Sequence, residues 1–235
     1  MLFKPSTKLL RWLGFIVLLL TVASVSVIQF DGPRQIAVAV LRSQSVSIAL
    51  SRIQQFMIPA NNAACLDELA KLDAVYTAQS GFTEGNQCIV EHAVRLTSAS
   101  GMAIKNSPVL TCRMASELVK FTENTLQPVA DQMFGSRIKA MSHLGTYNCR
   151  SMRQYPGIVS QHGFANAIDV AGFTLEDGTE INVADDWKGS SVKAVFLKEI
   201  ADAGCEGFRV AVSPDSDANH WNHLHWDMGP YWSCR

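Results

Sequence analysis

The sequence predicts an α+β domain: a small antiparallel sheet with flanking helices, preceded by one N-terminal transmembrane helix. Three observations predict this. Apolar residues at helical spacing come first in the domain, strand-like runs then flank a further helix, and one uncharged apolar segment stands near the N-terminus. In chain order, Met114, Leu118 and Phe121 mark a helix. Gln127-Pro128 restarts the chain into a short second helix that stops at Gly135. Ala167 to Leu175 is apolar-rich and leads to Asp177-Gly178, a hairpin-type turn, with residues 181–183 as the returning strand. Val192, Val195, Phe196 and Ile200 form a helical stripe that stops at Gly204. Phe208 to Val212 and His223 to Asp227 read as two more strands.

The chain has 235 residues, 20 basic and 21 acidic, with a mean hydropathy of +0.09. The apolar excess is local. Residues 12–30, WLGFIVLLLTVASVSVIQF, carry no charge and follow Lys4, Lys8 and Arg11. At about 1.5 Å per residue they nearly match a hydrocarbon layer of about 30 Å. The positive flank predicts residues 1–11 in the cytoplasm and the rest translocated, as a single-pass protein with its main domain outside the cytoplasm. A cleaved signal peptide is the rival, with small residues at Val22-Ala23-Ser24, although the apolar run continues to Phe30. Beyond it, Ile48, Leu50, Ile53, Phe56 and Met57 recur at helical spacing, so 31–61 reads as a stem or linker helix. Pro59 and Asn61-Asn62 break that pattern, and the main domain is placed at 62–235.

Composition excludes several classes. One apolar segment excludes a polytopic membrane protein, and 48% hydrophobic residues exclude a disordered chain. Taking the three basic residues of the N-terminal segment from the 20 leaves 17 against 21 acidic, a charge of −4. That argues against a nucleic-acid binder relying on a basic field. The six cysteines, Cys65, Cys88, Cys112, Cys149, Cys205 and Cys234, are widely spaced with no CxxC pair. Beyond an export segment they read as up to three disulfides, and none of the fifteen pairings is favoured by sequence.

The histidines carry the chemistry. Three fall in His220-Trp221-Asn222-His223-Leu224-His225, and His162 stands seven residues before Asp169. On a strand, His223 and His225 share one face while Leu224 and Trp226 face the core. Asp169 enters an apolar strand and needs a partner. A catalytic zinc takes three protein ligands and keeps one open position; His162, Asp169 and one histidine of the triplet satisfy that count. The remaining histidine would serve as base or oxyanion partner beside water acidified by the metal. An HxH pair alone more often reflects an alternating surface strand. His92 and His143 have no such company and read as ordinary structural or surface histidines.

At these residues the chain resembles a known family. SxHxxxxAxD followed by HxxHxH resembles the zinc peptidases that group murein endopeptidases, D-Ala-D-Ala peptidases, lysostaphin-type enzymes and Hedgehog-type domains. The wider context is Gly145-Thr146-Tyr147-Asn148-Cys149-Arg150, SQHGFANAIDVAGFTLEDG, INVADDW, HWNHLHWD and a terminal Cys234-Arg235. It is similar to the bacterial extensin-like C-terminal domain family over residues 62–235. The resemblance implies Zn2+ held by His162, Asp169 and His225, with His223 as catalytic histidine and His220 also in the active site. It implies that Ser160 supports the metal ligands from behind and that Arg150 or Arg153 assists the substrate's carbonyl oxygen. It also implies peptidoglycan as the partner, cleaved at stem peptides or cross-links by an endopeptidase or carboxypeptidase. Two departures stand out. Ala165 replaces the usual glycine, a tolerable change unless the loop needs positive φ. Asn222 stands where one branch carries a glutamate base, so the mechanism expected is the histidine type. The alternatives are a non-catalytic zinc-containing module that binds the wall or a partner, and a disulfide-stapled scaffold.

Overall fold

The computed structural model describes Ala39, residues 43–57 and residues 63–235. The expected cytoplasmic residues 1–11, the apolar segment 12–30 and the breaks at Pro59 and Asn61-Asn62 lie outside these residues. Among the described residues, no helix is long and apolar enough to cross a membrane.

Helix α1 spans Gln44–Met57. Spacing marks Ile48, Leu50 and Ile53 in its apolar stripe, yet among the side chains described the buried ones are Ser47, Ser51 and Gln54, at i, i+4 and i+7; Phe56 and Met57, also in the expected stripe, lie outside them. Ser47 Oγ donates to the Gly157 carbonyl at 2.9 Å, and Gln54 Nε2 to the Val159 carbonyl at 3.1 Å. The surface beneath the helix is a loop rich in backbone acceptors, so hydroxyl and amide donors cover it while Ile53 stays exposed.

The domain opens with α2 (Ala63–Leu69) and six strands: β1 (Ala74–Gln79), β2 (Phe82–Glu84), β3 (Cys88–Val90), β4 (Ala93–Ala99), β5 (Met102–Ile104) and β6 (Val109–Thr111). Helix α3 (Cys112–Phe121) begins at the N-cap Thr111, whose hydroxyl accepts from Met114 N. Gln127-Pro128 does not restart the chain. A π-helical turn, Thr122–Leu126, carries α3 directly into α4 (Gln127–Phe134), with Pro128 directly after the wide turn. Gly135 caps α4 in the left-handed region, φ 62°. Then follow β7 (Ile138–Gly145), a 3₁₀ turn (Gln161–Phe164), β8 (Ala167–Leu175), β9 (Glu180–Asn182) and α5 (Val183–Asp186). The chain ends with α6 (Val192–Gly207), β10 (Val210–Val212), β11 (Leu224–Asp227) and β12 (Ser233–Cys234).

The fold is α+β, but the sheet is neither small nor purely antiparallel. Ten strands form it, with the central path β1-β4-β5-β7-β8-β11-β10-β12 and with β6 on β4 and β9 on β8. The pairs β5–β7 and β10–β12 are parallel. The expectation named no strand before residue 112; it passed over β1 and β4, of six and seven residues, and also β2, β3, β5 and β6, which have three residues each. Such runs are too short for alternation to show.

Leu224 and Trp226 face the core and are fully buried. Trp226 stacks on Phe208 with centroids 4.9 Å apart and meets Phe121 edge-on at 5.1 Å. Gly204 does not end α6. A Cβ there would lie 2.7 Å from Trp226 Nε1, so this glycine lets the helix close onto β11. All six cysteines are paired: Cys65–Cys112, Cys88–Cys149 and Cys205–Cys234.

Candidate metal centre

Strand register builds the site. In the β8–β11 ladder, Asp169 pairs with His225, flanked by Val170↔Leu224 and Ile168↔Trp226. The flanking residues go to the core, which forces Asp169 and His225 onto the opposite face. His162 arrives from the 3₁₀ turn, whose N-cap Ser160 accepts from His162 N at 3.4 Å. The turn closes at Ala165 in the left-handed region, φ 52° and ψ 30°. The loop therefore does hold positive φ at the position where the resembling motif carries glycine, and an alanine methyl occupies it.

The three side chains converge. His162 Nε2 lies 3.2 Å from His225 Nδ1 and 3.2 Å from Asp169 Oδ1, and His225 Nδ1 lies 2.9 Å from Asp169 Oδ1. Together they form a group able to hold a metal ion. The donor set fits zinc. Bonds of about 2 Å in a tetrahedral site place ligand atoms about 3.3 Å apart, so this triangle needs to widen by only a few tenths of an ångström. Two imidazole nitrogens and one carboxylate also suit zinc chemically, and leave a fourth position.

The pair is strongly polarised. Burial disfavours charge on Asp169, but hydrogen bonds from His162 and His225 outweigh it and hold the carboxyl well below the usual range. Burial likewise opposes charge on His225, and Asp169 and Asp227 overcome it, pushing the imidazole up to about 10.

His223 stands beside this cluster, with Nε2 3.5 Å from Asp169 Oδ1. Its Nδ1 lies 2.9 Å from Asn222 Oδ1. An amide oxygen only accepts, so the proton sits on Nδ1 and the Nε2 lone pair faces the cluster. Burial is the main cause that lowers His223 to about 4. Asn222 thus orients the histidine. His220 Nδ1 lies 3.0 Å from Asp217 Oδ1, and its ring is 5.1 Å from that of His223 and 5.9 Å from that of His225. Burial lowers its pKa.

The arginines separate. Arg150 is exposed and, among the described residues, its side chain reaches the neighbouring Ser151 carbonyl. Arg153 donates to Asn219 Oδ1, one residue before His220, and ties its loop to the triplet. His92 and His143 stay apart from the cluster's contacts: His143 Nε2 bonds the Lys105 carbonyl, and the His92 carbonyl accepts from Cys112 N.

Sequence reasoning missed several members of the site. Asp227 Oδ2 lies 3.0 Å from His225 Nε2, and strand alternation two residues beyond His225 could have signalled it. Gly145, paired with Asp169 on β7, has nothing within 4 Å of a Cβ built on it, so the face beside the carboxylate is open there. A register shift between His143 and Gly145 leaves Leu144 as an exposed bulge residue next to it.

The extensin-like protein C-terminus family model matches residues 63–235, and the chain belongs to that family. No curated protein and no solved structure matches the chain.

Proposed function

We propose that this protein is a zinc-dependent peptidase of the bacterial envelope, acting on stem peptides or cross-links of peptidoglycan. The observation that carries the reading is the convergence of His162, Asp169 and His225, with the His223 Nε2 lone pair beside them. His162, Asp169 and His225 would hold the ion. When bound, zinc supplies Lewis acidity that polarises an amide carbonyl and lowers the pKa of water. His223 takes the proton at Nε2, and Asn222 keeps that nitrogen free by occupying Nδ1. His220, placed by Asp217, offers a second imidazole to the substrate carbonyl or leaving group. Arg153 and Asn219 fix the loop that carries it. The resemblance to murein peptidases supports the substrate class. The three disulfides and the cationic-flanked apolar segment support an inner-membrane anchor with this domain in the periplasm.

The test is a digest of purified sacculi by the full chain, resolved by mass analysis. The expected result is loss of cross-linked or terminal peptide products with wild type, and none with His223→Ala, which keeps its metal. Unchanged muropeptides with retained sacculus binding would instead indicate a non-catalytic wall-binding module.

A further inference from the structure

Asp227 is a buried carboxylate at the end of β11 that the proposed chemistry does not use. A carboxylate removed from water requires donors, and Asp227 has two. Gly229 N–H donates to Oδ1 at 2.8 Å, and His225 Nε2 lies 3.0 Å from Oδ2. The turn holding it is tight. A Cβ at Gly229 would lie 2.7 Å from Gln161 Cδ and 3.0 Å from Asp227 Oδ1, so the turn packs directly on the residue preceding His162. Gln161 Oε1 accepts from Asn166 Nδ2 at 2.9 Å, and Asn166 Oδ1 accepts from the Thr111 hydroxyl at 2.9 Å. Met228 N donates to the Asn166 carbonyl at 3.2 Å. This buried chain of hydrogen bonds links the turn after His225 to the turn before Asp169.

A neutral imidazole carries one proton on one nitrogen. A fixed carboxylate at Nε2 keeps the proton there and leaves Nδ1 as the donor atom, which is the atom facing Asp169 and His162. We propose that Asp227 is the positioning residue of the metal centre: its Oδ2 holds the Nε2 proton of His225 and thereby presents Nδ1 to the ion. The inference rests on the zinc reading given above. A carboxylate behind a ligating imidazole fixes its orientation and raises its donor strength, and losing one costs about 10- to 100-fold in metal affinity.

The test measures zinc dissociation constants of the full chain by competition with a chelator, for wild type, Asp227→Ala and Asp227→Asn. Asp227→Asn keeps the shape and one acceptor while removing the charge, and decides the matter if Asp227→Ala does not fold. The expected result is a 10- to 100-fold weaker constant for Asp227→Ala and a smaller loss for Asp227→Asn. Saturation should stay near one zinc in every variant that folds, even where the metal-free thermal midpoint falls with the loss of the Asp227 charge beside His225. Wild-type zinc affinity in Asp227→Asn, whatever its metal-free midpoint, would overturn the proposal and leave Asp227 a purely structural residue. Failure of the wild type itself to bind zinc would overturn the zinc reading and this inference with it.

Discussion

Asp169 and His225 face each other across the β8–β11 ladder with Oδ1 and Nδ1 2.9 Å apart, and each holds the other in its charged form. The imidazole must lose its proton before Nδ1 can bind a metal. Zinc binding between pH 7 and 8 should therefore release about one proton per site. Calorimetry in buffers of different ionisation enthalpy reads this directly: a slope near one is expected, and a slope near zero would contradict it.

The same pair sets a pH window for the metal-free fold. The raised His225 stabilises the fold fully below its unfolded pKa of about 6.5, and this contribution is lost as pH rises towards about 10. The lowered Asp169 contributes fully above about 3.9 and progressively less in acid. Denaturant midpoints of chelator-treated protein should fall on both sides of the window from about pH 4 to 6.5. Asp169→Asn should flatten both limbs; an unchanged profile would contradict the coupling.

Ala165 is buried at φ 52°, packed near Val90 and Ala93. Glycine would relieve left-handed strain of about 1 kcal/mol and lose a methyl contact of about the same size. Thermal denaturation of Ala165→Gly should thus lie close to wild type. Ala165→Val adds β-branching in the left-handed region and overpacks the site, and should cost at least about 2 kcal/mol. A fully stable Ala165→Val would show that the loop has another conformation.

The Cys88–Cys149 disulfide lies beneath the His162 turn. Cys88 and Cys149 pack with Val159 and Phe164, and Asn148 N donates to the His162 carbonyl at 3.1 Å. Replacing this pair by alanine should cost roughly 2–5 kcal/mol and weaken zinc binding. Replacing Cys205 and Cys234, which join α6 to β12, should cost stability with zinc affinity retained. Equal effects of both replacements on zinc affinity would contradict the placement of the first bridge under the site.

Much of this site was legible because strand geometry is simple. A two-residue period put His223 and His225 on one face and sent Leu224 and Trp226 inward, and an acidic residue in an apolar strand asked for partners. The same period reaches Asp227, yet a lone aspartate at a strand end looks like a turn residue until its neighbours are known. Asn222 read as a missing glutamate, because its role depends on which nitrogen of His223 it meets. The sheet was legible in part: β8, β10 and β11 show, whereas the longer β7 does not, because the register shifts along it interrupt the two-residue period, and three-residue strands such as β5 carry no period. Gly204 imitates a helix stop, since a contact with Trp226 leaves no local signal. The buried polar face of α1 was hidden for the same reason. Its apolar residues obey the helical period, but the loop acceptors it covers come from a hundred residues away.

The open position at Gly145 makes a separate prediction. Gly145→Val places a side chain beside Asp169 without meeting any atom within 4 Å at Cβ. Folding and zinc content should be kept while turnover of murein peptides falls by at least about tenfold, a loss of about 1.4 kcal/mol in transition-state stabilisation. Undiminished turnover would show that substrate does not cross β7.

The central claim is that His162, Asp169 and His225 hold one zinc ion. Elemental analysis of the full chain, purified without chelator, tests it most directly beside His162→Ala. The account predicts about one zinc per wild-type chain and almost none in the variant. A metal-free wild type, or a variant that keeps its zinc, would contradict it.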